Sequence, residues 1–373
     1  MTAWTDRYVS DTALGGDNGL TESTPWTLAE AITNKADHQR VNIKTGNYTL
    51  THQTVSDNDY WWRGYDSTPG DLDNAFVGDK TGGTDIPQIE ITSGHLKVAG
   101  SFCMSGLEFT TASNGDPTLE DDANKCWRKN VRFIHTGSSC SKNIIQTAST
   151  ADDVSYINCE FRGNNCSAAR SMIYQTSERH YIGCVFRQTD SSGSWRGLDI
   201  NAGNTVTGCL FEGLDIGVRW GSLANDISNN TFVDIIDNAI DGNTSSGSSS
   251  AMLIRNNYFH TVGGFCIGNN SGPTTNKLMY IANNTHYNCS NFLEFPDQES
   301  FNTQADSADP FENKASGDYR LKSSSNAYEI LQGGFWRSDM ANYRNGGASQ
   351  AECSGGGGGG GGGGVTIHPL YSN

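Results

Sequence analysis

Between Leu107 and His286 the apolar and polar positions fall into a phrase that keeps returning: an apolar residue, a spacer, Gly or Asn, then Cys or Asn, a spacer, and Phe. It reads Tyr156-Ile-Asn-Cys-Glu-Phe161, Tyr181-Ile-Gly-Cys-Val-Phe186, Val206-Thr-Gly-Cys-Leu-Phe211, Ile227-Ser-Asn-Asn-Thr-Phe232, Ile254-Arg-Asn-Asn-Tyr-Phe259 and Ile281-Ala-Asn-Asn-Thr-His286. With two weaker copies ending at Phe109 and Phe133, the intervals between closing positions are 24, 28, 25, 25, 21, 27 and 27 residues. A period in this range marks a stacked repeat architecture. Gly and Asn tolerate left-handed backbone angles, so their column predicts a sharp bend between two strands of each coil. The apolar residue, the Cys and the Phe then point inward. Where Cys gives way to Asn230, Asn257 and Asn284, an Asn ladder is expected, with amides bonded between coils about 4.8 Å apart.

A shorter phrase sits between the copies: Gly197-Leu-Asp-Ile200, Gly217-Val-Arg-Trp220 and Ala239-Ile-Asp-Gly242. Alternation places Leu198, Val218 and Ile240 inside and Asp199, Arg219 and Asp241 outside. About eight coils of this kind make a rod of roughly 40 Å. The Leu spacing of a leucine-rich horseshoe and the four strands per unit of a propeller are both missing.

The chain opens with Tyr8-Val-Ser-Asp-Thr-Ala-Leu-Gly-Gly-Asp-Asn-Gly-Leu20 and Pro25-Trp-Thr-Leu-Ala-Glu-Ala-Ile32, read as a strand, a loop and one short helix, followed by Val41-Asn-Ile-Lys-Thr-Gly-Asn-Tyr48. These residues, the repeats and the closing Tyr319-Arg-Leu-Lys-Ser-Ser-Ser325 resemble the right-handed parallel β-helix proteins of the pectin-lyase-like superfamily. The resemblance implies an all-β, single-stranded right-handed parallel β-helix (a solenoid) with an N-terminal helical cap, a C-terminal cap and a glycine-rich tail. Boundaries follow at 1–93 for the cap and first irregular coils, 94–296 for the repeats, 297–350 for the C-terminal cap and 351–373 for the tail. The fold hosts lyases, hydrolases, epimerases and phage spikes, so it implies no single activity. Neither the polygalacturonase set of Asn-Thr-Asp, Asp-Asp and Gly-His-Gly nor the lyase Arg motif is visible, and no catalytic residue carries over.

Composition narrows the partners. Hydrophobic residues make up 35% and Gly numbers 44, which suits turn-rich β-structure, and the formal charge of −16 disfavours nucleic acid and anionic membrane. No apolar run is long enough for a membrane span, and Met-Thr-Ala-Trp-Thr-Asp-Arg lacks the pattern of a secretory signal. Either a signal has been removed or the protein leaves its cell without one, as a virus particle does on lysis. The ten Cys follow repeat phase, with Cys159, Cys184 and Cys209 in one column, and are expected as buried thiols rather than disulfides or metal ligands.

Three sets of residues carry candidate chemistry. In the outward column Asp199, Arg219, Asp241, the carboxylates are about 9–10 Å apart, near the upper end for an inverting glycosidase, and Arg219 would bind an acidic sugar; the alternative is a surface charge ladder. The cluster Tyr60, Trp61, Trp62 would stack on sugar rings, or pack against the first coil. The tract Gly355 to Gly364 with Val365, Ile367, Leu370 and Tyr371 would dock between subunits, or serve as a flexible linker. No metal site is expected: Asp226, Asp234, Asp237 and Asp241 do not fall together on one face, and calcium is the one cofactor left open. His135, His180 and His260 fall on separate coils, and His286 is expected as a packed histidine.

The expected function is a non-enzymatic structural or adhesive component of an extracellular assembly, with a phage virion protein (tail spike, fibre or capsid-surface protein) foremost. It would pack against copies of itself or other virion proteins and bind host glycans, and the likeness to phage spikes implies a trimer. The alternatives are a secreted polysaccharide lyase or glycoside hydrolase, and a self-assembling extracellular filament. The expected location is extracellular or in a virion.

Overall fold

A computed structural model describes residues 4–322 except for 57–58, 75–79, 138–139, 148–152, 165, 167–168, 176, 191–193, 202, 222–224, 243–250, 269–277, 295–299, 302–303, 310 and 317. The glycine tract and Val365, Ile367, Leu370 and Tyr371 lie outside the described residues, as does most of the 297–350 segment. Among the described residues the strands join into one 29-stranded sheet that winds about itself, every named pairing within it parallel, and an antiparallel pair at Phe311–Asn313 and Asp318–Leu321 stands apart. Each coil supplies up to three strands, one to each of three faces. The first face includes Gln39–Lys44, Tyr60–Tyr65, Val154–Ile157 and Asn225–Ser228; the second includes Glu160–Gly163, Val185–Gln188 and Thr231–Ile235; the third includes Arg170–Gln175, Trp195–Ile200, Ile216–Trp220 and Ile240–Gly242.

The bend between first and second faces falls on the expected column. Asn158, Gly183, Gly208, Asn229, Asn256 and Asn283 all have φ between 52° and 64°. A second left-handed column, two residues after the closing aromatic, runs through Gly213, Asp234, Thr261 and Asn288. It escaped notice because it falls just past the repeated phrase; Gly, Asp and Asn accept such angles, and Thr261, β-branched, is the strained member. Its hydroxyl lies 2.9 Å from His260 Nδ1.

Inside, Phe109, Phe133, Phe161, Phe186, Phe211, Phe232 and Phe259 stack with centroids 4.8–5.5 Å apart and planes within 15°. The neighbouring column shows why Cys and Asn exchange. The thiols of Cys159, Cys184 and Cys209 donate to the carbonyls of Arg128, Tyr156 and Tyr181 in the preceding coil, at 3.2, 3.3 and 3.6 Å. Asn230, Asn257 and Asn284 do the same with their amides, to Val206, Ile227 and Ile254, at 2.9, 2.9 and 3.1 Å. Each Asn also accepts a backbone N–H from the coil before, as Asn257 Oδ1 does from Asn230 at 3.0 Å. A buried amide is thereby satisfied on both sides.

The expectation that no cysteine pairs is corrected at one place: Cys140 and Cys166 form a disulfide across adjacent coils, with Cα atoms 5.0 Å apart. One coil step brings Cα atoms within disulfide range. The helix, Leu28–Thr33, begins with a capping box in which Thr27 and Glu30 bond each other's backbone N–H, and it buries Leu28, Ala31 and Ile32. Charge also enters the core: Asp121, Arg128 and Arg179 are fully buried, with Arg128 Nη2 2.8 Å from Asp121 Oδ1 and the Tyr156 hydroxyl donating to Oδ2 at 2.5 Å.

Candidate functional site

The third face brings the predicted column together. Asp199 pairs with Arg219 and Arg219 with Asp241 in direct parallel register, while Leu198, Val218 and Ile240 beside them are fully buried. Small residues make this possible. A Cβ on Gly197 would sit 2.5 Å from the Gly217 carbonyl oxygen, and one on Gly217 would sit 2.5 Å from that of Ala239, so strands and Phe stack press close beneath the column.

Although they alternate away from the core, the two carboxylates are largely covered: Asp199 is 7% and Asp241 1% exposed. An open surface charge ladder does not describe them. Arg219 Nη1 lies 3.6 Å from Asp199 Oδ2, and Asn238 Nδ2 donates to Asp241 Oδ1 at 3.2 Å. Asn238 is itself fixed, its Oδ1 accepting the Phe265 N–H at 2.8 Å. Burial raises the Asp199 pKa above its ordinary 3.8; Arg219 and Arg196 oppose the shift and Asp241 adds to it. Asp215 is raised too, by burial and then by the charge of Asp237. The site therefore combines a carboxyl group whose pKa burial raises with a guanidinium and an anchored second carboxyl group.

Arg196, Asp215, Asn238 and Tyr174 belong to this surroundings and were not singled out from sequence. Tyr174 precedes Asp199 in the same column and is 37% exposed. Continuing the column one coil back would have found it. Arg196 and Asn238 come from the same strand as Asp199 and from the turn before Asp241, off the repeated phrase.

The aromatic cluster is divided by strand parity. Tyr60 and Trp62 are fully buried in the core, the Tyr60 hydroxyl donating to the Ala31 carbonyl at 2.9 Å, so neither offers a ring face to a sugar. Only Trp61 points outward, on the first face. Asp226, Asp234 and Asp241 occupy strands of three different faces. Among the described residues no group of three or more His, Cys, Asp and Glu side chains is placed to hold a metal ion. A cleft of about 660 Å³, lined by Asn204, Asp226, Met279 and Tyr280 among others, opens away from the Asp199 column and borders segments outside the described residues. No helix among those described is long and apolar enough to cross a membrane.

Among solved structures, the pectate lyase Pel9A superposes with a TM-score of 0.62 at 13% identity, over 87% of this chain and 91% of that one. The chain has the fold of pectate lyase-like right-handed parallel β-helix proteins. A rhamnogalacturonan lyase matches with a TM-score of 0.48 at 12% identity over 84% and 92% of the two chains. At these identities the likeness reaches the fold and goes no further. No protein-family model and no curated protein sequence matches the chain.

Proposed function

We propose that the protein is an extracellular enzyme that cleaves an acidic polysaccharide from the Asp199, Arg219, Asp241 column. The observation that carries this is Asp199, a covered carboxyl group whose pKa is raised by burial, in register with a partly open arginine. Perturbed acids beside a fixed charge are what general acid catalysis requires. The fold shared with a pectate lyase supports the reading, and the Cys140–Cys166 disulfide supports an oxidising location. The virion role drew on the missing signal pattern, the absent catalytic signatures and the glycine tract with its terminal segment, the last of which lies outside the described residues.

In this reading Arg219 holds a uronate carboxylate. Asp199 gives its proton to the glycosidic oxygen as the bond to the anomeric carbon breaks. Asp241, covered and anchored by Asn238, takes a proton from the water whose oxygen bonds that carbon. Two coil steps, roughly 9–10 Å, separate the two acids along the backbone, which suits inversion.

The purified protein is expected to release reducing ends from polygalacturonate or another polyuronate. Asp199→Asn and Asp241→Asn each lower kcat by at least about 100-fold, and Arg219→Gln raises KM for the acidic polymer. Because Asp199 is needed protonated and its pKa is raised, kcat falls as pH rises through that raised value rather than near 3.8. Full activity in both Asp variants, or no cleavage of any polyuronate tested, overturns the assignment. An ultraviolet-absorbing unsaturated product would replace hydrolysis by elimination.

A further inference from the structure

We infer that Trp4, Trp61 and Trp127 form a second glycan-binding site, on the first face and away from the Asp199 column, which takes the sugar rings of an acidic polysaccharide. Trp61 follows Arg40 and precedes Cys103 in one outward column, and Trp127 stands one coil beyond Cys103. The small Cys103 side chain lets the indoles of Trp61 and Trp127 approach to 5.1 Å at 77°. On the other flank Trp4, 40% exposed, meets Trp61 at 6.1 Å, also at 77°.

Trp61 is a support. Its Nε1 donates to Ser105 Oγ at 3.1 Å, and the guanidinium groups of Arg40 and Arg63 lie 5.5 and 5.1 Å from its ring centre. Both arginines are pinned in turn, Arg40 by Asp6 at 2.6 Å and Arg63 by Asp73. A rigid central indole thus holds two more upright on either side. Indoles arrayed on the outward face of a solenoid contribute nothing to its core, while a flat apolar face is what the C–H side of a pyranose ring stacks on.

Charge selects the polymer. Arg40, Arg63 and Lys129 balance Asp6, Asp59 and Asp73 here, in a chain of net charge −16, so a polyanion meets less repulsion at this patch than over the molecule as a whole. Lys129 Nζ donates to the Asn74 amide oxygen at 2.9 Å rather than to a carboxylate, and its charge remains available to a uronate. The inference stands whether or not the chain is cut at Asp199.

The test reads binding directly, by affinity electrophoresis and tryptophan fluorescence titration of the intact protein with polygalacturonate, and with dextran as the neutral comparison. Wild type and Asp199→Asn are expected to bind polygalacturonate alike. Trp4→Ala and Trp127→Ala each weaken binding about tenfold, and Lys129→Gln weakens polygalacturonate binding while leaving dextran unaffected. Trp4 and Trp127 lie outside the core, so an unchanged melting temperature certifies the fold of their variants. Unchanged affinity in the Trp4→Ala/Trp127→Ala double variant, absence of polyuronate binding in the intact protein, or equal affinity for dextran each overturns the inference. Weakened polygalacturonate binding in the Trp4→Ala/Trp127→Ala double variant, with cleavage of a short oligouronide retained, separates this site from the catalytic one.

Discussion

Asp121 shows what a single side chain controls. Burial would push its carboxyl group up, but Arg128 and Arg179 outweigh that and hold it below the usual range. Two guanidinium groups inside the solenoid depend on this one carboxylate, and removing it leaves their charge without a counterion in the core. Asp121→Asn is expected to destabilise by about 3–5 kcal/mol in urea unfolding at neutral pH. The difference shrinks as pH falls through the lowered carboxyl pKa, because stability from a depressed acid is present above its unfolded value and lost on protonation. Little of this was legible in sequence. Asp121 lies outside the recurring phrase, Arg128 stands where the weaker copy ending at Phe133 should have its inward apolar residue, and Arg179 follows a segment where the repeat is irregular. Tyr60 and Trp62 teach a related lesson: three adjacent aromatics look like one surface, yet strand parity sends the outer two inward and leaves Trp61 alone outside.

At the level of strands and bends, repetition made the pattern readable. The Gly/Asn bends, the Phe stack and the Asn ladder occupy fixed positions in successive phrases, and each recurrence reinforces the same physical requirement. The Gly213, Asp234, Thr261, Asn288 bends stayed hidden because they fall just past the repeated phrase; Gly, Asp and Asn suit the conformation, and at Thr261 alone the coil imposes it. Covering of Asp199 and Asp241 was also invisible, because alternation tells which way a side chain points and nothing of what lies over it. The small-residue column under the site can be probed at Gly217. A methyl group there would meet the Ala239 carbonyl and the Phe232 ring at 2.5–2.7 Å. Gly217→Ala is expected to cost about 1–3 kcal/mol in thermal or denaturant unfolding, as overpacking does, and to lower kcat by displacing Arg219.

For the molecule as a whole, the antiparallel pair Phe311–Leu321 matters because it folds back along the side of the coils. Phe311 stacks on His260 at 5.0 Å, and Lys314 Nζ lies 2.6 Å from Asp234 Oδ1 and 3.3 Å from His260 Nδ1. Burial lowers the His260 pKa below 6.5, and Lys314 lowers it further; Asp309 and Asp234 act in the opposite sense. A histidine held neutral stabilises the folded state fully above its unfolded pKa, and that contribution is lost as pH falls below 6.5 toward the lowered value. Acidification through this window should release the segment before the coils melt, read as faster hydrogen exchange at 311–321, and His260→Phe should remove the pH dependence. The coil interval has one more consequence. Neighbours in register are 19 to 43 residues apart in the chain, however long the rod becomes. With contacts so local, a relative contact order of roughly 0.07 places this all-β protein beside helical bundles on the scale that governs folding speed. Each coil can therefore zip onto the one before it, and the time to fold should grow with the number of turns rather than with the difficulty of joining distant ends.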